Sequence, residues 1–164
     1  MNRKNYLGLD KPLHLTLNAA FLSEIKQDNI QFRQLIDSIA DALNVEAKVR
    51  PRVLAELLER LRDEMDSHFA LEEFYGYFDS AALVNPQVNS KATMLREQHV
   101  DLSVELNGLL EETERIVYQE RPQGRSLDEI IDAFLDFHRA FMSHEDQEME
   151  LMMRLANEEI GVGD

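Results

Sequence analysis

No cysteine occurs among the 164 residues, so disulfides, thiolate metal sites and a cysteine nucleophile are excluded. Glycine and proline number only 6 and 4, which leaves few interruptions to helix in a chain rich in Leu, Ala, Glu, Met and Arg. No apolar run approaches the roughly 20 residues of a membrane span, and the opening MNRKNYLGLDKPL has none long enough for a signal peptide. Basic residues are outnumbered by acidic ones, 17 to 32, for a formal charge of −15. That balance argues against nucleic acid and against an anionic membrane surface, both of which reward clustered Lys and Arg. No nucleophilic triad or phosphate-binding glycine loop is present. A cytoplasmic location is the expectation these absences leave.

What remains is a globular balance, 44% hydrophobic and 30% charged, in a chain long enough for one domain with a sizeable core. Helix punctuation is sparse. Asp10 followed by Pro12 is a helix start, and Pro51 opens a second segment. LVNPQVNS (83–90) reads as a loop ending at Ser90, an N-cap. RPQGRS (121–126) is another, with Ser126 and Glu129 forming a capping box. These signals predict helices over about 11–44, 51–79, 90–119 and 127–157, the first bending around Asp28-Asn29. Short loops make neighbours antiparallel, so the expected fold is all-α, an up-down-up-down antiparallel four-helix bundle.

Three segments carry a clear seam at alternating spacings of 3 and 4. In the second it is Leu54, Leu58, Leu61, Met65, His68, Glu72 and Tyr75. In the third it is Ala92, Leu95, His99, Leu102, Leu106, Leu109, Thr113 and Ile116. In the fourth it is Ile130, Phe134, Phe137, Phe141, His144, Glu148, Leu151 and Leu155. The first segment is looser: His14, Asn18, Phe21, Ile25, Asp28, Phe32, Leu35 and Ile39.

Four of the five histidines therefore fall on seams, one per helix, while His138 turns aside. In an up-down bundle His68, His99 and His144 lie roughly 14 to 20 Å from one common end, and a staggered first helix brings His14 to them. A buried polar cluster is costly unless its members satisfy one another or bind something. His68 with Glu72, and His144 with Glu148, each project two ligand atoms from one helix face. With His14 and His99 the layer offers four imidazoles and two carboxylates, too many for one tetrahedral zinc and suited to two first-row metals bridged by glutamate. Nitrogen and oxygen donors without thiolate point to iron first, then manganese or zinc.

This arrangement resembles the hemerythrin-like, or HHE cation-binding, family. The shared pattern is a histidine on helix one (His14), H-x-x-x-E on helix two (His68, Glu72), a histidine on helix three (His99), and a histidine with a following carboxylate on helix four (His144, Glu148). The words HFALEE and HEDQEMELMM also look like the family's. The resemblance implies a non-haem di-iron centre that binds O2 or a related small ligand. One departure stands out: oxygen-carrying hemerythrins have a second histidine one turn further along helix three, where this chain has Ser103. Water, another carboxylate or a nearby tyrosine is left to fill that place, and a more open, less nitrogen-rich site favours oxidation over reversible carriage.

Blander readings stand beside these. A single core histidine is usually just hydrogen-bonded, and a surface His–Glu pair contributes only a few tenths of a kcal/mol. Glu73 and Glu145 sit about 100° around their helices from the adjacent seam residues and are expected in solvent, with substitution as metal ligands the lesser alternative. Tyr75 reads first as a core aromatic whose hydroxyl finds a partner, the alternative being a hydrogen bond from it to a metal ligand. Met149, Met152 and Met153 read as core filler or a soft contact surface. Three functions follow: a di-iron protein that binds or senses O2 or iron, a di-iron enzyme reducing O2 or peroxide, and a metal-free acidic helical interaction module.

Overall fold

The computed structural model describes residues 19–45, 49–74, 86–118 and 124–161. They form four helices, α1 (Ala19–Val45), α2 (Pro51–Phe74), α3 (Pro86–Val117) and α4 (Leu127–Gly161), with no strand among the described residues. None of these helices is long and apolar enough to cross a membrane. Proline occupies the first position of α2 and of α3, where its missing N–H costs nothing. At the start of α4 the Ser126 N–H donates to Glu129 Oε2 at 2.7 Å, and the Glu129 N–H donates to Ser126 Oγ at 3.3 Å. That is the reciprocal box read from the sequence. Asp128 and Glu129 in the first turn also complement the helix dipole.

Helix α1 packs on α2 and α4, and α3 packs on the same two, so the contacts close a ring around one interior. The interior is filled in three tiers. The larger apolar cluster takes Phe32, Ile36, Ile39 and Leu43 from α1, Leu54 to Phe69 from α2, Leu102 to Leu110 from α3 and Ile130 to Phe141 from α4. A smaller cluster joins Val88, Ala92 and Leu95 of α3 to Leu151 and Leu155 of α4, with Leu71 and Met152 against it. Between the two lie the buried polar residues His68, Glu72, His99, His144, Glu145 and Glu148. The large cluster precedes the polar tier along α2 and α4 and follows it along α1 and α3.

The seams of α2, α3 and α4 are buried as their spacing requires, apart from the half-buried Ile116 and from Tyr75, which lies outside the described residues. In α1 the stripe is Asn29, Phe32, Ile36, Ile39 and Leu43, so Ile36 rather than Leu35 takes the central place. Helix α1 continues through Asp28-Asn29; the polar pair there is turned to the polar tier. Helix α3 begins at Pro86, four residues before Ser90. The expected loop gives way because Pro86 suits a first turn and Val88 is drawn into the smaller cluster. Helix α4 extends to Gly161, past the expected 157. The proposed start of the first helix, including His14, and the end of the second lie outside the described residues.

Phe137 is fully buried in the larger cluster, so Phe137→Ala is expected to cost about 3–5 kcal/mol, against about 1 kcal/mol for the cap variant Ser126→Ala. Urea denaturation of the two variants measures both, and equal losses would contradict the assigned tiers.

Candidate metal centre

The polar tier is built from pairs that helical spacing brings to one face. On α2, His68 Nε2 lies 3.1 Å from Glu72 Oε1, and on α4, His144 Nε2 lies 3.2 Å from Glu148 Oε1. His99 enters from α3 with Nε2 3.1 Å from Glu148 Oε1 and 3.5 Å from Glu72 Oε2. Glu145 Oε1 completes the tier 3.0 Å from His68 Nε2. Two groups emerge, His99–His144–Glu148 and His68–Glu72–Glu145, each with its ligand-type atoms within 4.8 Å of one another. Glu72 belongs to the second group while its Oε2 faces His99 of the first.

Each imidazole is oriented from its outer nitrogen. His68 Nδ1 donates to Asp28 Oδ2 at 2.7 Å, His99 Nδ1 to Glu73 Oε1 at 3.2 Å, and His144 Nδ1 to Gln98 Oε1 at 2.9 Å. Carboxylate and amide oxygens only accept, so Nδ1 carries the hydrogen and Nε2 is the nitrogen turned inward. Aromatic rings lock the same planes: Phe69 stacks on His99 with centroids 3.9 Å apart, and Phe32 stacks on His68 at 5.1 Å. His144 meets His99 edge-on at 4.9 Å.

The donor set fits a first-row cation. Bonds of about 2.1 Å set ligand atoms roughly 3.0 Å apart at right angles and ~3.4 Å at the tetrahedral angle, and the His–Glu separations given above, 3.0 to 3.5 Å, lie close to those values. Apart from the His–Glu contacts given above, both oxygens of Glu72, His144 Nε2 and Glu148 Oε2 are buried with no further hydrogen-bond partner. Folded proteins avoid leaving such atoms unsatisfied, and here they belong to the two His–Glu groups of the tier.

Proton affinities report the same crowding. Burial works against a charged His68 imidazole, but its hydrogen bonds to Asp28 and Glu145, with Glu72 alongside, push it up to about 12. Burial drives the Glu72 carboxyl well above its usual range; His68 opposes the rise and the Glu148 charge adds to it. Burial also disfavours the Glu148 carboxylate, yet His144 and His99 hold it down at about 2.

Among the residues singled out from sequence, the structure brings together His68, Glu72, His99, His144 and Glu148, while His14 and Tyr75 lie outside the described residues. His138 is turned aside as expected, its Nε2 2.7 Å from Asp37 Oδ1. Ser103 is half-buried, one turn beyond His99, and its carbonyl accepts from Asn107 Nδ2 at 2.8 Å. Glu145 corrects the sequence reading: it is buried, not solvated. Helix α4 packs on two sides, so His144 meets Gln98 and His99 of α3 while Glu145, 100° around, meets Asn29 of α1. Glu73 is half in solvent but still reaches His99. Met149 and Met153 are exposed.

Fold and site together define a helical protein with a histidine–carboxylate cation-binding tier in its interior. The chain belongs to the hemerythrin family, whose HHE cation binding domain matches residues 20–149. No match was found among curated proteins, nor among solved structures.

In the metal-free protein the Glu148 carboxyl, held below its ordinary value of 4.5, contributes stability that is present above pH 4.5. That contribution is lost as pH falls towards about 2. Glu148→Gln is therefore expected to flatten the loss of urea resistance between about pH 5 and 2.5, and a variant with the wild-type slope would contradict the assigned contacts.

Proposed function

We propose that the polar tier holds two iron ions in a non-haem di-iron centre of hemerythrin type, and that the protein binds or senses O2, a related small ligand, or iron itself. The single observation carrying this reading is the pair of buried groups, His99–His144–Glu148 and His68–Glu72–Glu145, each with its ligand-type atoms within 4.8 Å of one another. His68, Glu72, His99, His144 and Glu148 are the proposed ligands, with His14 the histidine assigned from sequence to helix one. Iron bound there supplies one-electron redox chemistry and affinity for O2. The chain orients each Nε2 inward through Asp28, Glu73 and Gln98, and it keeps bulk water off one side with Phe32, Phe69 and Phe141. The opposed order of the tiers along successive helices supports an up-down-up-down antiparallel arrangement.

Ser103 favours a second reading. With no imidazole at that place, the centre has a more open position, which suits reduction of O2 or peroxide better than reversible carriage. A lasting oxygen complex of the reduced protein supports binding; turnover of O2 or peroxide supports the enzyme.

Metal stoichiometry and the optical spectrum of protein from iron-replete cells test the proposal, beside His68→Ala and Glu148→Ala. About two irons per chain with near-ultraviolet charge-transfer absorption, diminished in both variants, is the expected result. No metal, with both variants folded and unchanged, would leave the acidic interaction module. Cation binding must also displace protons held by His68 and Glu72. Anaerobic Fe(II) added to metal-free protein near pH 7 is expected to release protons and to bind more weakly as pH falls; an indicator dye reads the first effect and competition with a chelator the second.

A further inference from the structure

Glu145 and helix α1 do not fit the family pattern as it was read from the sequence. Helix α1 contains no histidine between Ala19 and Val45, and the family match begins at residue 20, beyond His14. Where α1 meets the polar tier it presents Asp28 and Asn29. Asp28 holds His68 by its Nδ1, and Asn29 Nδ2 donates to Glu145 Oε2. Arg33 adds a cation 3.7 Å from the same oxygen and is itself held by Asp146 at 2.8 Å. Anchored at Oε2, Glu145 directs Oε1 to His68 Nε2, which Glu72 Oε1 also approaches at 3.1 Å. A fully buried carboxylate is otherwise expensive, and this one is built into the tier from two helices.

We propose that Glu145 is a metal ligand that takes the place a helix-one histidine fills elsewhere in the family, so that α2, α3 and α4 supply the protein ligands and α1 only positions them. This inference rests on the di-metal reading above. Its consequence is a pair of unequal subsites. His68–Glu72–Glu145 offers one imidazole and two carboxylates, whereas His99–His144–Glu148 offers two imidazoles and one carboxylate. Carboxylate-rich sets suit harder cations such as Mn(II), and imidazole suits Fe(II) and Zn(II). The Glu145 subsite is therefore the one that accepts manganese more readily.

Metal-free wild type, Glu145→Gln and His14→Ala, each checked for folding by circular dichroism, would be loaded with Fe(II) without oxygen and desalted. Bound iron would then be counted by mass spectrometry, and Mn(II) binding titrated by electron paramagnetic resonance. The expected result is about two irons in wild type and in His14→Ala and about one in Glu145→Gln, which also binds Mn(II) at least ~10-fold more weakly. Two irons and unchanged Mn(II) affinity in Glu145→Gln would overturn the proposal, as would loss of an iron in His14→Ala. Fewer than two irons in wild type would instead defeat the di-metal reading itself. If Glu145→Gln does not fold, Glu145→Asp decides: it keeps the charge but withdraws the oxygens by one methylene. Weakened Mn(II) binding supports the ligand role and unchanged binding overturns it.

Discussion

The structure turns on one electrostatic constraint: three histidines and three glutamates share an interior with almost no water-facing surface. Burying so many ionisable groups is unfavourable unless protons or cations are shared among them. The upward displacement of His68 and Glu72 and the downward displacement of Glu148 are three expressions of that one constraint. A tier that must share protons in isolation is one that a divalent cation can organise.

The apolar tiers on either side make the constraint bearable. Stacked rings of Phe32 and Phe69 fix the imidazole planes, and outer oxygens from Asp28, Glu73 and Gln98 fix their protons. Those partners come from three different helices, so the inner nitrogens are aimed before any ligand arrives. Such preorganisation lowers the ordering cost of binding. It also ties the chemistry of the site to the packing of the whole interior, because shifting one helix would misalign nitrogens on its neighbours. The two groups share Glu72 across their boundary, yet they differ in donor balance, which gives one interior two chemically distinct ends.

Much of this was legible in the chain itself. The 3-and-4 spacing from Leu54 to Glu72, from Ala92 to Thr113 and from Ile130 to Leu155 recurs as buried seam, because helical periodicity maps directly onto a face. His68, His99 and His144 could be placed at one level because the rise per residue is constant. The capping box at Ser126 and Glu129 was equally local, its two partners only three residues apart. Where tertiary contacts compete with local signals the reading slipped: Val88 draws the start of α3 into the smaller cluster, and Ile36 displaces Leu35 from the centre of the α1 stripe.

Glu145 marks the boundary between the two kinds of information. A seam is one line along a helix, and by that measure a residue beside His144 belongs in solvent. Helix α4, however, is packed by α1 and α3 at once, so residues 100° apart can both be buried. The sequence by itself determined the four helical segments, the common level of His68, His99 and His144 and the resemblance to the hemerythrin family, since each depends on spacing within one segment. Only the tertiary structure decided that Asp28 and Asn29 serve the site from α1 and that Glu145 enters it, since those contacts join residues 40 and 116 positions apart and arise only when the helices pack.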